Sequence, residues 1–184
     1  QNVETSQSHK GNLDMSLEAA TELTLGRPLL VAVAFTPACE AALVAGARRA
    51  EAVHAPLLMV HVVHESGDHP GFYGQARRPD DVRPVNDIAA EMLDRFIQEM
   101  IAKYPQWPAI AEAERVLVAG VPDHRILEVA KIRGAQQILV GESAPGRSAA
   151  MNRILGSVGD WLSRHSRIPV QRVAADDLPS AGAS

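Results

Sequence analysis

The chain has 184 residues, 18 Lys and Arg against 22 Asp and Glu, a formal net charge of −4 and one cysteine. This length suits one domain with a substantial core. Because no strongly basic region occurs, nucleic acid is excluded as an expected partner. Cys39 cannot form an internal disulfide, so we expect a buried, inert thiol and a reducing, cytoplasmic location.

The two ends of the chain differ from its middle in composition. Residues 1–26 are polar and then loosely apolar, which predicts an N-terminal extension that is partly helical or disordered. We predict a single domain over residues 27–175 and a disordered tail over 176–184. The chain starts with Gln1 rather than methionine, and we expect either a trimmed chain or a domain cut from a larger protein. The apolar run 29–35 is far too short to span a membrane, so no insertion into a bilayer is expected.

The first β-α-β unit is the clearest element of the sequence. Residues 29–35 form an apolar run that predicts a strand buried on both faces. Thr36 and Pro37 then supply an N-cap and a first-turn proline for an Ala-rich helix. A second apolar run at 56–63 predicts a strand, and this order is typical of a right-handed parallel crossover.

The remaining chain repeats the alternation of strands and helices. A loop rich in proline and glycine covers 64–84, and further elements are predicted as helix 85–103, strand 114–119, helix 122–134, strand 137–140, helix 156–165 and strand 168–173. Tyr104 is predicted to end the second helix, and Gly134 to be a left-handed cap of the third. Five strands and four helices predict a doubly wound, Rossmann-like parallel five-stranded sheet, with a ligand crevice between the ends of its first and fourth strands.

The segment after the fourth strand carries candidate anion-binding residues. Gly146 and Gly156 are separated by nine residues, and Ser157 follows at a predicted helix N-terminus. There, unpaired backbone N–H groups and the helix dipole favour a phosphate. Arg147 either reaches this phosphate or remains solvated. In the alternative interpretation no ligand is involved, because Gly156 allows close helix packing and Ser157 caps the helix.

Residues 28–173 resemble the universal stress protein family. Members carry a loop G-x2-G-x9-G-[ST], followed by V and by a helix ending in H-x-x-x-P-V, and the matching residues here are Gly146, Gly156, Ser157, Val158, His165, Pro169 and Val170. Gly120-Val121-Pro122 and Gly134-Ala135 are similar to two further family turns. The resemblance supports an adenine-nucleotide α-hydrolase-like domain.

The resemblance implies a regulatory stress-response protein that binds ATP or AMP, with Mg²⁺ accompanying ATP, and is not an enzyme, although weak ATP hydrolysis is compatible with it. Members usually dimerise through the last strand, so a homodimer is implied. In the family the residue matching Val62 presents its backbone to adenine. The implied nucleotide-binding residues are Val33, Ala34, Val62, Gly141, Gly146, Arg147, Gly156, Ser157 and Val158.

Two departures from the family pattern bear on this site. Ala34 stands where nucleotide-binding members have an Asp that holds the ribose. The loop also has four residues between Gly141 and Gly146, where the family has two. The alternative is therefore an interaction module of the same fold without a nucleotide, serving as the soluble domain of a transporter or sensor. A third hypothesis, an ATP-pyrophosphatase or nucleotidyl transferase, is disfavoured because neither a Ser/Gly-rich loop nor an H-x-G-H signature follows the first strand.

Three other groups have simpler interpretations. Imidazole and carboxylate groups are common metal ligands, and five such side chains are close in sequence: His61, His64, Glu65, Asp68 and His69. His61 and His64 are predicted to face opposite sides of a strand, so no metal site is expected. Asp123 and His124 lack a nucleophile, and no catalytic dyad is expected. Helical spacing predicts that the last helix packs on the sheet through Trp161, Leu162 and His165.

Overall fold

The computed structural model describes residues 26–64, 84–142 and 158–178. The segments 1–25, 65–83, 143–157 and 179–184 lie outside this description. The elements are, in chain order, β1 (Leu29–Val33), α1 (Pro37–Ala52), β2 (Leu57–Val63), α2 (Val85–Lys103), α3 (Ala109–Glu112), β3 (Glu114–Ala119), α4 (Pro122–Ile132), β4 (Gln137–Glu142), α5 (described over residues 158–165) and β5 (Val170–Ala174).

The strands form one five-stranded sheet in the order β3-β2-β1-β4-β5, and every neighbouring pair is parallel. The chain therefore adds strands on one side of β1 first and on the other side afterwards. The change of direction falls between β1 and β4, where doubly wound sheets bind ligands at the carboxyl ends of their strands. The predicted fold class and the predicted position of the switch point are both confirmed.

Helices cover both faces of the sheet because successive strand residues point to opposite sides. On one face, Leu29, Val31 and Val33 pack with the core that contains α1, α2 and α3. On the other face, Leu30 and Ala32 pack with residues of α4 and α5. Burial on both faces explains why the strands are almost wholly apolar.

Three predicted helix ends are confirmed, and the predicted start of the last helix at Gly156 lies outside the described residues. The hydroxyl oxygen of Thr36 accepts a hydrogen bond from the Cys39 N–H at 3.2 Å, and Pro37 occupies the first turn of α1. Tyr104 follows the last residue of α2. Gly134, with φ of +62°, lies two residues beyond α4 in the left-handed conformation that glycine adopts without cost.

Two strands are shorter at one end than their sequence predicts. β1 ends at Val33 rather than at Phe35, because the Ala34 N–H donates to the Cys39 sulfur at 3.3 Å and Phe35 turns into the left-handed region with φ of +52°. β5 starts at Val170 rather than at Ile168, because Ile168 forms a local turn in which its N–H and carbonyl both bond to the Ser166 hydroxyl. In both places a side chain takes over backbone hydrogen bonding.

Two further features were absent from the sequence prediction. The short helix α3 starts after Pro108 and buries Ile110 under α1 and α2. Beyond β5, the chain forms a 3-10 turn over Ala175–Asp177, and Leu178 packs against the core on the α1 side. The first residues assigned by sequence to the disordered tail are therefore part of the fold.

Candidate functional site

The candidate site lies at the carboxyl ends of β1, β2 and β4. Val33 is paired with His61 of β2, and Ala32, one residue earlier, is paired with Val140 of β4. Ala34 and Gly141 thus follow these paired positions at the same edge of the sheet. Of the residues proposed from the sequence, Val33, Ala34, Val62 and Gly141 lie at or just beyond the ends of these strands; Gly146, Arg147, Gly156 and Ser157 lie outside the described residues.

The side chains of these residues divide between the two faces of the sheet. Val33 packs into the core beneath α1. Val62 and Val158 pack into the opposite core, beside α4 and α5. Val33 can therefore offer only its backbone to a ligand at the sheet edge, whereas Val62 is half-buried and Val158 is buried on the far side.

Cys39 holds the connection between β1 and α1. Its sulfur accepts the N–H of Ala34 at 3.3 Å and lies 3.7 Å from the carbonyl oxygen of Ala32, to which the thiol donates. Burial raises the pKa of the Cys39 thiol to about 11, so the group is protonated and unreactive near neutral pH. The expectation of a buried thiol is confirmed, and its role is to satisfy the backbone where β1 ends.

Gly141 allows the first turn of α1 to pack directly on β4. A Cβ atom at Gly141 would lie 2.6 Å from the carbonyl carbon of Ala38 and 2.7 Å from the backbone nitrogen of Cys39. Backbone atoms cannot move aside as a flexible side chain does, so a larger residue here requires α1 to shift away from β4. A glycine is needed here for packing, whether or not a ligand is bound.

Three aromatic rings meet above the end of β1. The Phe35 ring lies 4.5 Å from the His61 ring and 5.6 Å from the Phe96 ring of α2. Phe35 makes these contacts from a left-handed backbone conformation, which is strained for a bulky residue. Just beyond β1, the chain therefore carries the aromatic side chain of Phe35, and the residue before it, Ala34, has no polar side chain.

His61 is the buried polar side chain at this edge. Its Nδ1 atom lies 2.7 Å from the Val33 carbonyl oxygen. Because a carbonyl oxygen only accepts, Nδ1 carries the proton in this bond. Burial lowers the pKa of His61 from 6.5, and the bond to Val33 opposes this effect in part. The imidazole is therefore neutral at physiological pH and serves to join β2 to β1.

The first turn of α1 is also held from the side of α2. Glu40 accepts hydrogen bonds on the same carboxylate oxygen from the Tyr104 hydroxyl and from the Lys103 ammonium, both at 2.5 Å. Burial, together with the bond to Glu40, raises the pKa of Tyr104. These contacts tie the start of α1 to the end of α2 close to the candidate site.

On the opposite face of the sheet, an arginine of β5 bridges two acidic residues. Arg172 donates to the carboxylate of Asp160 in α5 at 2.5 Å and also binds the carboxylate of Glu142, the last residue of β4. Glu142 and Asp160 lie on either side of the segment 143–157 in the chain. One guanidinium group therefore joins the elements that precede and follow that segment.

The histidines do not converge on one point. His61 binds the Val33 carbonyl, whereas His64 lies 3.1 Å from the carbonyl oxygen of Gly120. His69, Glu65 and Asp68 lie outside the described residues. Among the residues of the three described segments, no group of three or more His, Cys, Asp or Glu side chains is arranged to hold a metal ion.

The remaining candidates have structural contacts. The Asp123 carboxylate accepts the His124 N–H at 2.8 Å, and the His124 ring lies against Trp161. Leu162 is fully buried and Trp161 packs against the same core, which confirms their predicted role. The prediction is wrong for His165, which is exposed and stacks on Trp161, with ring centroids 4.3 Å apart.

Sequence reasoning missed two contributors to this site. The left-handed conformation of Phe35 has no clear sequence pattern, because bulky residues rarely adopt it. The bridge made by Arg172 depends on tertiary contacts. The N-cap of α1 could be predicted from the sequence. An N-cap hydroxyl accepts a backbone N–H two or three residues further on, and the residue three positions after Thr36 is Cys39.

The fold and the site define a doubly wound parallel α/β protein with its crevice at the switch between β1 and β4. The sequence matches the universal stress protein family model over residues 26–173. The chain belongs to the universal stress protein family. No curated protein sequence matches it significantly.

Solved structures share the fold at low identity. A universal stress protein family member from Burkholderia pseudomallei has 23% identity and a TM-score of 0.53, over 81% of this chain and 96% of that one. A family member from Arabidopsis thaliana with AMP bound has 19% identity and a TM-score of 0.52, over 84% and 96%. A universal stress protein in complex with cAMP has 22% identity and a TM-score of 0.51, over 81% and 97%.

In the described segments 26–64, 84–142 and 158–178, no helix combines the length and the apolar character needed to cross a membrane.

Proposed function

We propose that this universal stress protein binds an adenine nucleotide, ATP or AMP, at the carboxyl ends of β1 and β4. It acts by changing its interactions with ligand state rather than by catalysis. The observation that carries the proposal is the switch of strand order between β1 and β4, with the glycine-containing segment 143–157 starting directly at this point. Two solved relatives of the same fold carry AMP and cAMP.

Two sets of protein groups are proposed to bind the nucleotide, one at its phosphates and one at its adenine. In this proposal the phosphates bind to backbone N–H groups at Gly146, Gly156 and Ser157, to the Ser157 hydroxyl and to the Arg147 guanidinium. The adenine lies against backbone groups near Val62. Mg²⁺ binds together with ATP, because the metal ion is held by the phosphate oxygens and neutralises part of their charge. Among the described residues, the Val33 backbone, Ala34 and Gly141 complete the surroundings, whereas the Val158 side chain is buried in the core beside α4 and α5.

Ligand-dependent stability tests this proposal. Protein is titrated with ATP plus Mg²⁺, AMP and cAMP, and both calorimetric affinity and thermal unfolding are measured. At about 100 times the dissociation constant, a ligand should stabilise the fold by about 2.7 kcal/mol. Mass spectrometry of small molecules released from the purified protein identifies any nucleotide that is retained. A melting temperature unchanged by millimolar concentrations of all three nucleotides contradicts the proposal.

A second candidate is an interaction module of the same fold without a nucleotide. It is favoured by the end of β1, where Ala34 has no polar side chain and its N–H is already bonded to Cys39. Such a module acts as the soluble domain or partner of a transporter or sensor. If this candidate is correct, the protein should bind no nucleotide. Crosslinking in cells should instead recover a partner protein. Release of pyrophosphate or phosphate from ATP at ordinary turnover would contradict both candidates.

The proposal includes a homodimer in the cytoplasm. Within the described sheet, β5 pairs only with β4 and leaves its other edge exposed, which is the edge a second copy can extend. Gln171 and Arg172 make this edge polar. Sedimentation at micromolar concentration tests it: a dimer supports the proposal, and a monomer at every concentration contradicts this part of it.

A further inference from the structure

The amino ends of β1, β4 and β5 lie at the opposite end of the sheet from the candidate nucleotide site. Here the Gln136 N–H donates to the Pro28 carbonyl at 3.0 Å, and the Ile138 N–H donates to the Pro169 carbonyl at 2.9 Å. Neighbouring strands lie about 4.8 Å apart, so the chain at Pro28 and the chain at Pro169, on either side of β4, are about 10 Å apart. These three strand starts therefore form one continuous surface.

The chain around these strand starts is basic. The stretches 26–28, 131–137 and 164–171 lead into β1, β4 and β5, and none of them contains Asp or Glu. Arg27 donates from Nε to the Gly134 carbonyl oxygen at 2.8 Å, which joins the first stretch to the end of α4. We define the basic surface by six exposed side chains of these stretches: Arg27, Lys131, Ile132, Arg133, Arg164 and Arg167.

The described fold leaves most of this positive charge without an acidic partner. Arg133 binds Glu114 at the start of β3. Lys131, Arg164 and Arg167 form no ion pair within the part of the chain that the structure describes. The whole chain nevertheless has a net charge of −4, so the basic surface differs in sign from the protein that carries it. It suits an acidic occupant.

The sequence that immediately precedes this surface is acidic. Residues 1–25 contain four acids and one Lys, and three of the acids, Asp14, Glu18 and Glu22, are spaced four residues apart. This is the spacing of side chains on one face of a helix. The same stretch contains four leucines, and Ile132 of the basic surface is 73% exposed. The two parts of the chain therefore match in charge and each offers apolar side chains.

The covalent connection brings the acidic stretch to the surface. Glu22 precedes Arg27 by five residues, which span at most about 17 Å. Arg27 contacts the carbonyl of Gly134, which lies three residues after Lys131, so the Glu22 carboxylate can reach the Lys131 ammonium. Because both partners belong to one chain, their effective concentration is about millimolar. Several weak ion pairs are then sufficient to hold them together.

We propose that residues 13–25 bind to the basic surface of their own chain, with Asp14, Glu18 and Glu22 directed at its cations and leucines placed against Ile132. The bound segment neutralises this surface and excludes other acidic ligands from it. The site lies at the amino ends of the strands, so this interaction goes beyond the proposed nucleotide binding and does not depend on it.

A spin label tests the position of the segment in the full chain. The label is attached to S16C, and Cys39 does not compete because it is buried. Amide NMR signals of residues 131–135 and 164–168 should broaden more than those of 48–52, at the end of α1 on the other face of the sheet. Raising the salt concentration from about 0.1 M to about 1 M shortens the Debye length from about 10 Å to about 3 Å and should reduce this broadening.

Charge reversal on either side should weaken the contact. In K131E/R164E and in E18K/E22K, the ratio of bound to free segment should fall about fivefold, the size expected for two exposed ion pairs. Combining all four substitutions pairs opposite charges again and should restore the contact. R48E/R49E is the matched control, because these exposed arginines also lie at the end of a helix, on the other face of the sheet. It should leave the broadening unchanged.

Three results would overturn the proposal. Equal broadening on both faces would mean that the segment has no preferred position. Broadening that persists in E18K/E22K would mean that charge does not direct it, and this variant decides even if K131E/R164E fails to fold, since its substitutions lie outside the described residues. In a mixture of spin-labelled chains with isotope-labelled, spin-free chains, broadening as strong as within one chain would mean that a second copy supplies the segment.

Discussion

The imidazole of His61 donates from Nδ1 to the carbonyl oxygen of Val33 over 2.7 Å, which links the ends of two neighbouring parallel strands through a side chain. Elsewhere in the described sheet these strands are joined by backbone hydrogen bonds. The bond keeps a buried polar ring satisfied at the edge where the candidate ligand approaches. It also makes the stability of this edge dependent on the charge of one residue.

Replacing His61 with asparagine should reduce the loss of stability on acidification. Burial lowers the pKa of His61 below 6.5, while the unfolded chain keeps the ordinary value. Below about pH 6.5 the unfolded state therefore binds a proton that the folded state does not, so stability is complete above this pH and declines as the pH falls towards the folded pKa. An asparagine amide can still donate to the Val33 carbonyl but does not titrate.

Urea unfolding between pH 7.5 and pH 5 measures this effect. The parent protein should lose up to about 1.4 kcal/mol per pH unit more than H61N in the affected range. The carboxylates titrate in both proteins and cancel in the comparison. Parallel stability profiles would show that His61 is protonated as easily in the folded protein as in the unfolded chain.

Introducing an acidic side chain at the end of β1 should strengthen nucleotide binding. Under the proposed function, the carboxylate of A34D would accept a hydrogen bond from a ribose hydroxyl, and one charge-assisted hydrogen bond contributes about 1.5–3 kcal/mol, or roughly tenfold or more in affinity. A34N provides a neutral acceptor of similar size and should gain less. The affinity for AMP is measured by calorimetry. Equal affinities of A34D and the parent protein would place the ribose away from β1.

Glycine should be tolerated better than alanine in place of Phe35. Both variants lose the ring contacts with His61 and Phe96. With φ of +52° at this position, alanine keeps the backbone strain, whereas glycine removes about 1–2 kcal/mol of it and loses part of that gain to unfolded-state entropy. We expect F35G to be more stable than F35A by about 0.5–1 kcal/mol.

The comparison of F35A and F35G is made by urea unfolding. The order is informative because alanine is normally the more stabilising of the two residues. F35A more stable than F35G would mean that the backbone relaxes out of the left-handed region once the ring is removed.

Alanine at Gly141 should destabilise the fold by about 1–3 kcal/mol through overpacking. The new Cβ atom would lie 2.6 Å from the carbonyl carbon of Ala38, which belongs to the backbone of α1. G134N is the control, because nothing lies within 4 Å of a Cβ there and asparagine tolerates a positive φ. Thermal unfolding of both variants measures the difference; equal, small losses would show that α1 can move away from β4.

The regular part of this fold follows from the sequence, because its features are local. Thr36 and Pro37 mark the start of a helix, and Gly134 marks an end, through preferences of a few neighbouring residues. Buried parallel strands appear as apolar runs because both faces are covered. The alternation of strands and helices predicts a doubly wound sheet, and the observed strand order places its switch between β1 and β4.

The chemistry of the site depends on contacts between distant residues and was less predictable. Whether β1 continues to Phe35 is decided by the sulfur of Cys39, which takes the Ala34 N–H from the ladder. The need for glycine at Gly141 arises from the approach of α1 across the sheet. Arg172 appears in the sequence as one polar residue on an edge strand, and its two partners are brought to it only by folding.

The anchoring of Glu40 by Lys103 and Tyr104 limits which parts of the protein can respond to a ligand. The same turn of α1 is pressed against β4 at Gly141 and capped by Thr36. Because these three sets of contacts hold it, we expect this turn of α1 to be rigid. Under the proposed function, we therefore expect this turn of α1 to keep its position whether or not the crevice is occupied.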